Sequence, residues 1–281
     1  MSAEVSELYR YPVKSAAGRR LEEAEVAARG FRADRRWMVV DPDGNFLTQR
    51  EHPRMALLQP RVDGEHLTVR FCEPAEQTDA GEALKLQHPP VGNETMEVEV
   101  WGDRLEARRA RRAADRWLRE HLGVDCRLVY MPDSTLRPLD TRVGGEEDGD
   151  IVSFVDGYPF LLIGRASLEE LNRRLDEPVP MDRFRPNIVV EGTEPFAEDD
   201  WQRLQIGWVE FRVAEPCTRC VITTVDQSTG EKGTEPLATL AEFRRTDAGK
   251  VAFGQYLVHQ SRGMIRRSEE RRVGKECIVK C

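Results

Sequence analysis

Several features that would place this chain in a special class are missing. No stretch of its 281 residues approaches the roughly 20 consecutive apolar residues of a membrane-spanning helix. The N-terminus, MSAEVSELYRYPVK, lacks a basic start followed by an apolar run. No secretory signal is expected, and the cytoplasm is the default compartment. Cysteine is scarce, with six in the chain, too few for a disulfide scaffold, so reduced thiols are expected. The five histidines are scattered, and His52, His66 and His259 show no triad-like context. A basic excess is missing as well. Forty-two Lys and Arg against 50 Asp and Glu leave a net charge of −8, which argues against a nucleic-acid polymer as partner. A local cationic pocket for a small phosphate remains compatible with that charge. There is no internal repeat and no low-complexity linker.

What is present is a soluble globular pattern of 40% hydrophobic and 33% charged residues. At roughly 150 residues per domain the length suggests two domains. The first hundred residues read as hairpins. Arg36–Val40 and Phe46–Arg50 flank the turn Asp41-Pro42-Asp43-Gly44-Asn45, and Leu57–Val62 and Leu67–Phe71 flank Asp63-Gly64. Met96–Val100 alternates with period two and turns at Gly102-Asp103 into Leu105–Arg108. Glu73–Asn93, rich in Pro, Gly and charge, reads as an excursion between strands. Such short, evenly spaced strands point to a barrel or curled sheet.

The pattern then changes. Ala113–Leu122 reads as a helix closed by Gly123. Cys126–Tyr130 is an expected strand, and Asp140–Asp150 an acidic, glycine-rich loop. Ser167 with Glu170 forms a capping-box pattern opening a helix over Leu168–Leu175. Phe160–Ile163, Ile188–Val190, Leu204–Ile206, Val209–Val213, Val221–Val225 and Val251–Val258 are expected strands, with a short helix over Leu237–Arg244. The expected fold class is α+β, mostly β, with two β-barrel-like domains and a few short helices. The domains are set at 1–115 and 116–266. Arg266–Cys281 is basic and unpatterned, so 267–281 is expected to be a disordered or non-native tail.

Cys217-Thr218-Arg219-Cys220 is the most pointed local feature. A redox dithiol would gain from a helix N-terminus, whereas a β-branched run follows here. Zinc would need further ligands, and no second C-x-x-C exists. Cys220, beside the expected strand, reads as a buried small hydrophobe, and Cys217, after Glu215-Pro216, as a loop thiol able to bind a metal. Lys14-Ser15 follows Tyr11-Pro12, while Arg35 and Arg185 precede strands. A guanidinium matches phosphate as a planar fork, and Lys and Ser complete such a cradle. Taken singly, each is an ordinary surface charge. Asp156 sits in the turn Asp156-Gly157-Tyr158-Pro159, where an aspartate also serves as a local turn-former.

Taken in order, YPVKS, ADRRWMVVDPDGNFLTQR, DGYPFLL, ASLEELNRRL, FRPNIVV, EPCTRC–VITTVD, EPLATL and FGQYL resemble the MOSC-domain proteins with an N-terminal MOSC β-barrel domain. More closely they resemble the mitochondrial amidoxime reducing components and their bacterial relatives, reductases of N-hydroxylated bases, from about residue 3 to 266. The resemblance implies a molybdenum cofactor (molybdopterin) between two β-rich halves, with Cys217 as metal ligand. It implies cofactor-binding roles for Lys14, Ser15, Arg35, Arg185 and Asn187, and places Asp156 near the metal as a catalytic proton relay. The chain departs from some members at Tyr158, where they carry serine. The implied activity is the two-electron reduction of a small N-hydroxylated substrate, N–OH to N–H plus water, in a detoxifying role. Pyridoxal phosphate binding is a further property credited to the family. A C-terminal ferredoxin-like domain of some bacterial relatives finds no cysteine pattern here, so the implied electron donor is a separate flavin or iron–sulfur reductase. The rival readings are a sulfur carrier with a persulfide on Cys217, and a non-catalytic binding module with structural or zinc-bound cysteines.

Overall fold

The computed structural model describes residues 3–73, 82–92, 94–139 and 149–267. The strands of the first half are β1 (Glu4–Arg10), β2 (Arg19–Leu21), β3 (Glu23–Ala27), β4 (Gly30–Phe31), β5 (Trp37–Val40), β6 (Leu58–Asp63), β7 (His66–Phe71), β8 (Leu84–Gln87), β9 (Thr95–Val100) and β10 (Asp103–Arg109). Helix α1 (Arg112–Leu122) leads to β11 (Arg127–Tyr130). Then follow β12 (Phe160–Gly164), α2 (Arg165–Asn172), β13 (Ile188–Glu191), β14 (Arg203–Ile206), β15 (Val209–Thr218), α3 (Leu237–Phe243), β16 (Ala252–His259) and β17 (Gly263–Arg266). The fold is α+β and mostly β. Among the described residues no helix is long and apolar enough to cross a membrane.

A seven-stranded sheet in the order β14-β15-β16-β12-β13-β1-β2 organises the second half and recruits the first strands of the chain. β1 runs antiparallel to β13, and β17 pairs with β3, so residues near the N-terminus share sheets with the C-terminal half. β12 and β13 are parallel, as the crossover through α2 requires. Their near-continuous apolar runs follow from burial on both faces. Phe160 and Leu162 pack with Leu8, Ile188 and Phe211 on one side, and Leu161 and Ile163 with Leu171, Phe184 and Phe253 on the other. β5, β9, β10 and β11 form a second sheet, and the β6–β7–β8 meander packs with α1 around the fully buried Trp37. Gly123, at φ 74°, closes α1 by donating to the carbonyl of Arg119 at 2.9 Å.

Several sequence expectations fail locally, for identifiable reasons. Phe46–Arg50 is not a strand. Phe46 makes one bridge to Val40, after which the carbonyl of Thr48 captures the amides of Glu51 and His52 and the chain turns. The excursion over Glu73–Asn93 holds β8, paired with β7. The capping box is not formed, because α2 starts at Arg165 and the Ser167 hydroxyl is held by the Glu198 carboxylate at 2.8 Å. Glu170 pairs with Arg173 and Arg174 instead. Val221–Val225 is not a strand either, since Val221–Thr224 forms a 3-10 turn. The hydroxyls of Thr223 and Thr224 donate back to the carbonyls of Cys220 and Val221 at 3.0 and 2.8 Å, offsetting their β preference. The loop Asp140–Asp150 lies mostly, and the tail almost wholly, outside the described residues.

Candidate functional site

Lys14, Ser15, Arg35, Asp156, Arg185, Asn187 and Cys217 line a single cavity of about 750 Å3. Its walls are the turns after β1, the segments entering β12 and β13, and the end of β15 facing β16. Sequence positions as far apart as 14 and 217 therefore meet through the shared sheet.

The basic wall is built by residues in unusual backbone conformations. Ser15, Arg35 and Arg185 have φ of 61°, 47° and 57°, a left-handed region that costs a side-chain-bearing residue about 1 kcal/mol or more and clusters at functional sites. Both guanidinium groups lie 4.5 Å from the Tyr11 ring centre. Arg35 is fixed further by an ion pair with the buried Asp34 and by a 3.2 Å hydrogen bond to the side-chain oxygen of Asn187. Asn187 in turn donates to the carbonyl of Tyr9 at 3.2 Å, so it braces the wall. Arg185 is less satisfied, because its Nη1 is buried with no hydrogen-bond partner. Burial draws this guanidinium down to about 10, with Arg35 adding repulsion. It remains charged at neutral pH, and an anion placed there would relieve that penalty.

Lys14 is 3% exposed. Its ammonium donates to the carbonyl of Phe154 at 2.8 Å and to the carboxylate of Asp156. Two of its three donors are thereby used, leaving one for a ligand. Burial pulls Lys14 down to about 8 against the attraction of Asp156. Asp156 also accepts from Trp101 Nε1 at 3.1 Å and from Arg50 at 3.3 Å. Burial opposes its ionisation, yet Lys14 and Arg50 together hold its carboxyl well below the ordinary carboxylate range. In the structure Asp156 therefore sits as an ion-paired, hydrogen-bonded carboxylate beside Lys14, Arg50 and Trp101.

The two cysteines exchange the burial expected of them. Cys217 is 2% exposed within β15, whereas Cys220 is half-buried at the start of the 3-10 turn. Cys217 lies where the β15–β16 register shifts, with Pro216 opposite Gln255 and Thr218 opposite Ala252. Two residues of β16, Phe253 and Gly254, thus oppose one, a bulge that re-aims the strand at the cavity. Gly254 sits there at φ 82°, and a Cβ would meet the carbonyl of Leu162 at 2.7 Å. Arg219 Nη1 donates to Cys217 Sγ at 2.8 Å, and the Tyr256 hydroxyl hydrogen-bonds the same sulfur. Burial pushes the Cys217 thiol up while Arg219 and Tyr256 oppose the shift. A soft sulfur, anionic once it ligates a metal, and guanidinium donors in the same cavity suit a metal-bearing group with an anionic tail. Among the described residues no three His, Cys, Asp or Glu gather into a metal site of their own.

Sequence reasoning missed Arg50, Trp101, Arg219 and Tyr256, all in the cavity lining. The i, i+2 spacing of Cys217 and Arg219 was a usable signal, because such residues share a face of an extended chain. Trp101, in the β9–β10 turn, offered none. Tyr158 is buried and packs on Tyr256 with ring centres 5.0 Å apart.

Residues 2–125 match the MOSC N-terminal beta barrel domain and residues 149–272 the MOSC domain. The mitochondrial amidoxime-reducing component 1 of Mus musculus is 36% identical over 277 residues, spanning 93% of this chain and 79% of that protein. The Homo sapiens protein of the same name is 35% identical over 277 residues, with 93% and 80% covered. A molybdenum cofactor sulfurase of Danio rerio is 35% identical over 278 residues, covering 92% of this chain but only 32% of its own length. The chain belongs to the MOSC-domain family with an N-terminal MOSC β-barrel, among whose members are the amidoxime-reducing components.

Proposed function

We propose that this protein is a molybdenum-cofactor-dependent reductase of small N-hydroxylated compounds. The observation that carries the reading is the pairing, within one cavity, of the buried Cys217 sulfur with the unpartnered Nη1 of Arg185. A thiolate is a ligand for a soft or high-valent metal, and a buried, unsatisfied guanidinium calls for an anion such as the cofactor's phosphate. When bound, the cofactor supplies the two-electron couple that converts N–OH and two protons to N–H and water.

The chain's own residues bind and orient. Cys217 would hold the metal. Arg185, Arg35 and the third donor of Lys14 would hold the anionic tail, with Asn187 and Asp34 keeping Arg35 in place. Asp156 fixes Lys14, Arg50 and Trp101 around the mouth. Electrons would come from a separate reductase.

The test is elemental analysis of protein made in a host that synthesises the cofactor, coupled to reduction of an amidoxime by a chemical electron donor. About one molybdenum per chain with amidine as product is expected. Absence of molybdenum would overturn the reading. The sulfurase relative favours a second one, in which Cys217 carries a persulfide. Its signature is a chain without molybdenum whose mass shows one added, reducible sulfur on Cys217.

A further inference from the structure

Two hydrogen-bond donors converge on the Cys217 sulfur, and neither is explained by the packing of the strand. Arg219 reaches Sγ with Nη1 at 2.8 Å and anchors its other terminal nitrogen on the carbonyl of Phe184 at 2.7 Å. Its guanidinium lies 5.5 Å from the Phe184 ring centre. Tyr256 comes from the neighbouring strand, opposite Glu215 and Leu161, and directs its hydroxyl at the same sulfur. A guanidinium can only donate, so the sulfur is the acceptor in this arrangement.

We propose that Arg219 and Tyr256 are positioning residues that act through Cys217, fixing its sulfur as a ligand and raising the reduction potential of the metal it holds. Hydrogen bonds to a metal-bound sulfur withdraw charge from it and so favour the reduced metal. The inference rests on the reading of the cavity as a molybdenum site. It adds that the second-to-last residue of the Cys-Thr-Arg-Cys motif serves the metal through the first.

The test compares wild type with Tyr256→Phe, Arg219→Met and Arg219→Lys, each isolated with cofactor. Molybdenum content is measured by elemental analysis, and the midpoint potential by a redox titration following the paramagnetic molybdenum signal. Tyr256→Phe removes one hydroxyl and keeps the ring on Tyr158, which guards against a folding failure in the arginine variants. Molybdenum should stay within about two-fold of wild type. The midpoint should move to more negative values in Tyr256→Phe and Arg219→Met, furthest in the double variant, and Arg219→Lys should lie closest to wild type. Unchanged midpoints in variants that hold molybdenum would overturn the inference, as would loss of the metal from Tyr256→Phe. Wild-type protein without molybdenum would instead overturn the reading of the cavity itself, so the two failures are distinct.

Discussion

Lys14, buried at the turn after the first strand, is ion-paired with Asp156, 142 residues further along the chain. The pair joins the N-terminal turn to the segment entering β12, and it sets a second role for the aspartate, anchor of Lys14, beside that of general acid. As a general acid, Asp156 would cost about 10²–10⁴-fold in turnover per molybdenum when replaced by asparagine. As the anchor of Lys14 it should cost little per molybdenum. Asp156→Asn is expected to keep turnover per molybdenum within a few-fold while lowering metal content. It should also lower stability by about 1–2 kcal/mol, discounted because the Asp156 side chain is 44% exposed. Urea unfolding and elemental analysis on the same preparation check both.

Arg185 offers the opposite balance of stability and function. Its buried, unpartnered nitrogen burdens the empty protein, so Arg185→Ala should melt no lower than wild type. Charge-assisted hydrogen bonds to an anion are worth about 1.5–3 kcal/mol each, so cofactor affinity should fall by about 10- to 100-fold. Cofactor release under dilution, read beside the melting temperature, separates this outcome from simple unfolding.

The two cysteines should respond unequally. Cys217→Ser removes the buried sulfur that receives Arg219 and Tyr256, and molybdenum content should drop to background. Cys220→Ser, at a half-buried position outside the strand, should retain most of it. Equal losses in the two variants would point to a pair acting together.

How far the site could be read from sequence differs from wall to wall. Lys14, Arg35, Arg185 and Cys217 were identifiable because each sits in a recognisable local motif, and the cavity brings them together. The partners of Asp156 and Asn187 were not, since the neighbours a side chain meets come from segments remote in sequence. Asn187 meets Arg35 and Tyr9, and Asp156 meets Lys14, Arg50 and Trp101. In the fold, the Asp63-Gly64 turn signal predicted the hairpin of β6 and β7, period-two alternation predicted β9, and a one-sided apolar pattern predicted α1. β-branched composition misled at Val221–Thr224, where two threonine hydroxyls hold a turn. The recruitment of β1 into the sheet of the second half is a long-range pairing with no local signature.

Gly254 should not tolerate a side chain. Alanine there would carry φ 82° and place Cβ 2.7 Å from both the Leu162 carbonyl and Ile163 Cγ1. Strain and overpacking each cost about 1–3 kcal/mol, so Gly254→Ala is expected to destabilise by roughly 2–5 kcal/mol. Because the bulge opposite Cys217 depends on this residue, molybdenum content should fall with it. A melting temperature within two or three degrees of wild type would count against the bulge.

His88 supplies a pH-dependent prediction away from the cavity. Trp37, wholly buried, donates from its indole nitrogen to His88 Nδ1 at 2.9 Å, which requires a neutral imidazole with that nitrogen unprotonated. Burial, with Arg36 and Arg10 nearby, lowers His88 from its ordinary 6.5 to about 4. Between those values the unfolded chain binds a proton that the folded chain refuses. Stability from this group is therefore complete above about pH 6.5 and declines as pH falls towards 4. The full shift would correspond to about 3 kcal/mol, and partial solvent exposure reduces the expected loss to about 1–2 kcal/mol. His88→Gln can still accept from Trp37 but does not titrate, so urea unfolding at pH 7 and pH 4.5 should show a smaller loss than wild type. Carboxylates that also titrate near the lower pH are common to both proteins and cancel in the difference. Equal losses would mean that His88 is protonated in the folded state and that the Trp37 hydrogen bond is not held through Nδ1.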